Sequence, residues 1–249
     1  MPASGVDSKT TGLYASYSNT DIASPLNDNM DPDLSEMNTA QLHNFFTHYR
    51  NWVRRVKEES AQVYIHSIVK PHARKKGGFY PSQLFAVPAK TSFIDKSILN
   101  AKSFYDQTKN CLWCEMIQQE TQTKHRTVVE NNTYIAFETF FSRMPFETFV
   151  VPKQHNPAFH NISDTYLADL AVICADLFAR LETVTNKADF SLHLHNVIVP
   201  SQFAYCTHWY LQIVPWMNNW AGFEIATAMY INVTKPEQCA QQLRRQKEF

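Results

Sequence analysis

Two thiols and two imidazoles are the first side chains here whose types and spacing could do chemistry. Cys111 and Cys114 stand in the run NCLWCEM, and a two-residue gap lets both thiolates reach one tetrahedral ion at about 2.3 Å. Taken alone, C-x-x-C is equally a redox pair or a coincidence, so a metal reading needs two more donors. The chain has 10 histidines, and residue type alone selects none of them. His155 closes the segment VVPKQH and His208 opens THWYLQIVP. Ends of neighbouring strands are rigid places at which distant ligands can converge, although each imidazole is also open to the plainer reading of a surface or core histidine.

The elements that would position these residues can be read from pattern. Residues 1–36 are rich in Ser, Thr, Asn, Asp and Gly with few large apolar side chains, and read as an extended arm that is disordered alone or ordered only against a partner. Asn38 as N-cap with Gln41 at the third position opens a helix over 39–59. Leu42, Phe45, Phe46, Tyr49, Trp52, Val53 and Val56 lie on one of its faces, and Arg50, Arg54, Arg55 and Lys57 on the other, which reads as a solvated basic face. Strands are expected over 62–69 and in QLFAVP, on either side of the basic turn PHARKKGG, followed by a helix near 95–107. RTVVE and TYIAFE flank Asn131-Asn132 as a hairpin, and 147–152 forms a further strand. Ser163 caps a long helix whose apolar face holds Leu167, Leu170, Val172, Ile173 and Leu177. Strands at 190–199, 207–215 and 223–233 follow, and Thr234 with Glu237 reads as a capping box for a last helix. The order of elements is that of an α+β fold with an antiparallel sheet.

Bulk composition narrows the classes. At 249 residues, with 44% hydrophobic and 13% aromatic residues, the chain is globular. Lys plus Arg balances Asp plus Glu at 23 each, which gives no general reason to expect nucleic acid or an anionic membrane as partner. Only 5 glycines are present and no Gly-rich phosphate loop. No apolar run has the length of a membrane span, and the first residues lack the pattern of a signal peptide. With five cysteines, two of them in C-x-x-C, an intracellular, soluble protein in a reducing compartment is expected.

The segments CLWCEMIQQE, MPFETFVVPKQH, HWYLQIVP and WAGFEIATAMYINVTKPEQCAQQLR, in that order, resemble the histidine-triad superfamily. They are similar in particular to the C-terminal domain of the galactose-1-phosphate uridylyltransferase and ADP-glucose phosphorylase type. The resemblance covers about 105–245. It implies that Cys111, Cys114, His155 and His208 bind zinc, and four protein ligands leave no open position, so that the ion is structural. It implies three regions: the arm at 1–36, a truncated N-terminal transferase-like half at 37–104, and a zinc-containing domain at 105–249.

The same resemblance implies a covalent nucleotidyl-histidine mechanism, but the nucleophile's place in the triad strand is held by Tyr210, a phenol with an ordinary pKa near 10. In GGFYPSQLFAVP, aligned on its ending with the family's His-Pro-His-x-Gln motif, Gln83 meets the glutamine and Ser82 the variable residue. Pro81 stands where the nucleophile would be and Phe79 at the first histidine. The chain then reads as a catalytically degenerate relative acting as a binding or interaction subunit, with a protein partner or as a homo-oligomer. A remaining nucleotide-sugar pocket would draw on Gln83 for phosphate, Glu224 for sugar hydroxyls, Phe223 beside it, and Gly222 for close backbone approach. Phe223 packed in the sheet and Glu224 capping a loop is the plainer alternative. His193 and His195 alternate with leucines on one strand face; they are either site residues or polar positions on a solvated face. Arg74, Lys75 and Lys76 are an anion contact or an exposed turn. The competing reading is an active nucleotidyltransferase or phosphorylase that uses a non-standard nucleophile such as His193 or His195. Trp209, Trp216 and Trp220 are candidate surface aromatics.

Overall fold

Alternating apolar residues in the central segments pair into one antiparallel sheet, and the two long amphipathic helices pack against it. In this computed structural model, residues 15–17, 37–59, 64–69, 82–87, 92–197, 201–217, 222–227 and 229–246 are described. In chain order they form β1 (Ala15–Tyr17), α1 (Thr39–Glu59), β2 (Tyr64–Val69), β3 (Ser82–Val87), α2 (Ser92–Thr108) and α3 (Leu112–Thr123). There follow β4 (Thr127–Glu130), β5 (Tyr134–Glu138), β6 (Thr148–Pro152), α4 (Asp164–Val184), β7 (Phe190–Val197), β8 (Tyr210–Pro215), α5 (Gly222–Thr227) and α6 (Pro236–Arg245). The strand order is β1-β3-β2-β7-β8-β6-β5-β4. The fold is α+β, and the sheet runs without a break from the strands before residue 104 to those after it, through antiparallel pairing of β2 with β7.

Both sheet faces are covered where the candidate ligands lie. Tyr134 and Ala136 of β5, Val150 of β6, Leu192 and Leu194 of β7, and Trp209, Leu211 and Ile213 at β8 join Leu42, Phe46 and Val53 of α1, Leu167, Leu170 and Ile173 of α4, and Leu243 of α6 in the main core. On the opposite face Ile135, Phe137, Phe149 and Val151 pack against Ile117 and Trp113 of α3. Every residue of β5 and of β6 is therefore buried.

Local signals explain several boundaries. The α1 cap is reciprocal: Gln41 N–H donates to Asn38 Oδ1 at 3.0 Å, and Asn38 N–H donates to Gln41 Oε1 at 2.9 Å. Asn131 Oδ1 accepts from the N–H groups of Thr133 and Tyr134 and closes the β4–β5 hairpin. Ser163 Oγ accepts from Tyr166 N–H at the start of α4.

Four expectations are corrected. Arg50 is not solvated but only 7% exposed. It donates to Ile162 O at 2.9 Å and to Asp164 Oδ1 at 2.7 Å, while Arg54 Nε donates to His160 O at 2.8 Å. These cations saturate carbonyls at the approach to α4, a role that helical periodicity cannot reveal. Val172 lies on the solvent side of α4, with Ala171 and Cys174 buried in its stead. Among the described residues, 223–233 do not form a strand: α5 occupies 222–227 and no regular element follows before α6. Alternation alone makes no strand when no neighbouring strand is there to take its hydrogen bonds. The N-cap of α6 is Lys235, without a side-chain cap, because Pro236 takes the first helical position. Glu237 pairs instead with Arg126 at 3.2 Å. Among the described residues, no helix is long and apolar enough to cross a membrane.

One buried acid stands out. Glu138 at the end of β5 is 0% exposed, and neither carboxyl oxygen has a hydrogen-bond partner in a well-formed geometry. Burial, then the charges of Glu147 and Glu237, push its pKa from near 4.5 up to about 9. The folded state thus holds this proton more tightly than the unfolded chain. The stability it supplies is complete below about 4.5 and is lost as pH rises toward about 9, at up to about 1.4 kcal/mol per pH unit. Glu138→Gln is expected to leave stability at pH 5 nearly unchanged and to raise it at pH 8, which thermal unfolding across that range measures. Arg50→Leu, which strands the Ile162 carbonyl, is expected to lower stability by about 2 kcal/mol, most of it from the buried carbonyl bond; Asp164 is too exposed for its ion pair to add much.

Candidate metal centre

The C-x-x-C lies at a helix start, not in a loop. Cys111 is the N-cap of α3 and Cys114 sits in its first turn, so the helix N-terminus, with its unpaired N–H groups, favours thiolate there. α3 was not foreseen from sequence. It is fixed to the sheet by Trp113, whose ring centroid lies 4.1 Å from that of Tyr210 and 5.7 Å from that of Phe149.

The antiparallel pairing of β6 with β8 brings the end of one strand beside the start of the other. His155 follows β6 and His208 precedes β8, and Trp209 N–H donates to Asn156 O at 3.1 Å, holding the two segments together. The donor atoms of Cys111, Cys114 and His155 all lie within 4.8 Å of one another, with Cys114 Sγ at 3.4 Å from His155 Nδ1. His208 is adjacent, its ring centroid 5.4 Å from that of His155 and nearly perpendicular to it.

The remaining ring nitrogens show which atoms face the centre. His155 Nε2 is 2.9 Å from Ala204 O, and His208 Nδ1 is 2.9 Å from Trp209 O. Carbonyls only accept, so both nitrogens carry protons in these contacts, leaving His155 Nδ1 and His208 Nε2 with lone pairs. Backbone carbonyls that orient imidazoles in this way are the usual outer support of a metal site. His208 Nε2 is buried and has no hydrogen-bond partner, a cost that an ion would relieve. Hydrogen bonding from Cys114, together with His155, lowers the Cys111 thiol to about 4. Burial lowers His208 to about 4, keeping it neutral as a ligand must be. Two cysteine sulfurs and two imidazoles fit zinc better than a hard oxygen-seeking cation.

Sequence gave no signal for Ala204 or Cys206. The turn after residue 200 carries the Ala204 carbonyl to His155, and it places the buried Cys206 near Cys111; burial, then the Cys111 charge, raises the Cys206 pKa.

A second polar group runs along the same sheet face. Glu147, 1% exposed, accepts from Arg143 Nη2 at 2.9 Å and from Gln212 Nε2. Gln212 Oε1 then faces His195 Nε2 at 2.6 Å, and His193 Nε2 lies 2.9 Å from Ser191 Oγ. Both histidines are half-buried members of a network, not a solvated face. Tyr210 stacks on His195, centroids 4.4 Å apart and planes 17° apart, and burial raises its phenol above the ordinary range.

The expected sugar-contacting residues lie on β3 and α5. Phe223 is 48% exposed, so it is not packed in the sheet, and Glu224 lies in the first turn of α5. A Cβ at Gly222 would meet no protein atom within 4 Å, so packing within the chain does not demand glycine there. Gln83 lies in β3, register partner of Ile68. Trp209 is fully buried against Tyr134 and Phe159, whereas Trp216 is exposed as expected. Arg74, Lys75, Lys76, Phe79, Pro81 and Trp220 lie outside the described residues.

Comparison with known proteins identifies relatives of the chain. The family model for the galactose-1-phosphate uridyl transferase C-terminal domain matches residues 97–245. An ADP-glucose phosphorylase of Arabidopsis thaliana is 26% identical over 217 residues, taking in 85% of this chain and 60% of its own length. A galactose-1-phosphate uridylyltransferase of Thermotoga maritima is 23% identical over 210 residues, 78% of this chain and 64% of its own. The chain therefore spans under two thirds of these relatives' length. The solved structure of a galt-like protein from Arabidopsis thaliana superposes with a TM-score of 0.76 at 25% identity, over 85% of this chain and 70% of that one. The fold is also shared with the Arabidopsis ADP-glucose phosphorylase with bound ADP-glucose, TM-score 0.78 at 24% identity, over 86% and 69% of the two chains.

Metal analysis of purified protein is expected to give one zinc per chain. Cys114→Ser should lose it and lower stability by several kcal/mol, since binding and folding are linked. Thermal unfolding with and without a chelator supplies the second reading.

Proposed function

The chain belongs to the galactose-1-phosphate uridylyltransferase family, and from that premise we propose that it is a zinc-stabilised, catalytically degenerate member that binds a nucleotide sugar without covalent transfer. On this reading Cys111, Cys114, His155 and His208 hold the ion, which ties α3 to the β6 and β8 ends and activates no water. Residues 37–104 act as a shortened counterpart of the N-terminal half, and a protein partner or second copy completes the functional unit.

Tyr210 carries the reading. It stands where the resemblance asks for a nucleophilic imidazole, and it is packed between Trp113 and His195. Burial keeps its phenol protonated, so no lone pair of useful basicity is offered at neutral pH. That the relatives include an ADP-glucose phosphorylase makes ADP-glucose and UDP-hexoses the first ligands to test.

One observation favours the second reading, an active transferase with another nucleophile. With Gln212 Nε2 engaged by Glu147, Gln212 Oε1 is left to accept, which sets His195 with its proton on Nε2 and its lone pair on Nδ1. Incubation with ADP-glucose or UDP-glucose, followed by intact-mass measurement and titration calorimetry, separates the two. Binding with no adduct and no turnover is expected; a nucleotidyl adduct on any histidine would replace the first reading with the second.

A further inference from the structure

C-x-x-C serves as a redox pair as readily as a metal ligand, and the backbone here suits both uses. Cys111 is the N-cap of α3 in extended conformation, with φ −69° and ψ 133°, and Cys114 is the third residue of the helix. A side chain at that third position points back toward the N-cap, the relation that closes a capping box, so the two sulfurs meet across the first turn. Their donor atoms lie within 4.8 Å of each other. Residues three apart on a helix have Cα atoms about 5 Å apart, within the span that a disulfide bridges. Glu115 N–H already donates to Cys111 O at 3.0 Å, so joining the sulfurs asks for no change in the turn that carries them. Helix N-termini are also where reactive cysteine pairs are placed. Exposure then gives the sulfurs different parts: Cys114 is half-buried beside the exposed His155, whereas Cys111 is 5% exposed. The other three cysteines stand apart. Cys174 and Cys239 lie in the main core, and Cys206 turns its Sγ to Phe203 O at 3.3 Å while its carbonyl faces Cys111 Sγ at 3.6 Å.

We propose that Cys111 and Cys114 are a reversible thiol–disulfide pair whose oxidising substrate is a small hydroperoxide and whose closure empties the metal centre. The inference rests on the thiols of that centre and not on nucleotide-sugar binding. The more accessible Cys114 thiolate attacks the outer oxygen of the peroxide: an S–O bond forms, the O–O bond breaks, and an alkoxide leaves (hydroxide, for hydrogen peroxide). The Cys111 thiolate then attacks the Cys114 sulfur: the S–S bond forms, the S–O bond breaks, and hydroxide leaves. Both departing anions take protons from water. Each sulfur has given up one electron and the peroxide has taken both. A disulfide offers an ion no thiolate, so only His155 and His208 remain, too few for a closed tetrahedral site. A small dithiol reverses the step by thiol–disulfide exchange.

The test titrates the full chain with hydrogen peroxide and reads three signals: a chromogenic zinc indicator, differential alkylation with peptide mapping, and thermal unfolding. One zinc is expected to be released per Cys111–Cys114 disulfide, with a lowered thermal midpoint and with Cys174, Cys206 and Cys239 still reduced. Dithiothreitol with added zinc should restore both the metal and the midpoint. Cys206→Ser should lose zinc at the same peroxide concentration as the parent protein. Zinc-bearing protein that forms no such disulfide, that bridges either sulfur to Cys206, or that runs on to sulfinic acid beyond recovery by dithiothreitol overturns the proposal. Protein purified without zinc that still forms the reversible Cys111–Cys114 disulfide supports the pair and overturns the zinc reading; protein with neither overturns both.

Discussion

Antiparallel pairing of β6 with β8 is the constraint on which the candidate centre depends. The two strands are separated by α4 and β7, yet their pairing sets the end of one against the start of the other. His155 and His208 lie just outside these ends and acquire a common focus with no local signal between them. The Asn156–Trp209 backbone bond closes the gap at the point where the ladder stops. α3 then needs only one anchor, Trp113 on Tyr210 and Phe149, to bring its N-terminal thiols over the same point. An ion bound there would join the start of α3 to the ends of β6 and β8.

The same pairing builds the polar row on that face. Gln212 lies opposite Phe149 on β6 and His193 on β7, which lets one amide connect a buried carboxylate to an imidazole. In a sheet covered on both sides such groups are tolerated only when saturated. Glu147 meets that condition through Arg143 and Gln212, whereas Glu138 meets it by holding a proton. The two acids lie near each other in space, and burial, then the charge of Glu147, pushes Glu138 toward its protonated form. Nothing in the local sequence of either one distinguishes them.

Where sequence reasoning succeeded, the information was local. The Asn38–Gln41 cap, the Asn131 turn, the Ser163 cap and the periodicity of α1 and α4 all act within about four residues, and each was legible. It failed where a neighbour far along the chain decides the outcome. Arg50 reads as solvated until Ile162 is brought beside it, Trp209 reads as a surface aromatic until α4 covers its face, and 223–233 reads as a strand although no strand lies beside it. The histidines at 193 and 195 could be assigned to one face but not to a network, since their partners Ser191 and Gln212 are ordinary residues in pattern.

The sequence by itself determined the α+β class, nearly every strand of the sheet, the thiol pair and, through an ordered set of motifs, the family. Through the same resemblance it set the expectation that Tyr210 occupies the nucleophile's place, since a residue's type is visible without coordinates. Only the tertiary structure decided that Cys111, Cys114 and His155 share one focus with His208 at its edge, which nitrogens face it, and which of the polar groups are buried. Those are properties of strand order and register, and hydrogen bonds between residues more than 40 positions apart leave no periodic trace in the chain that makes them.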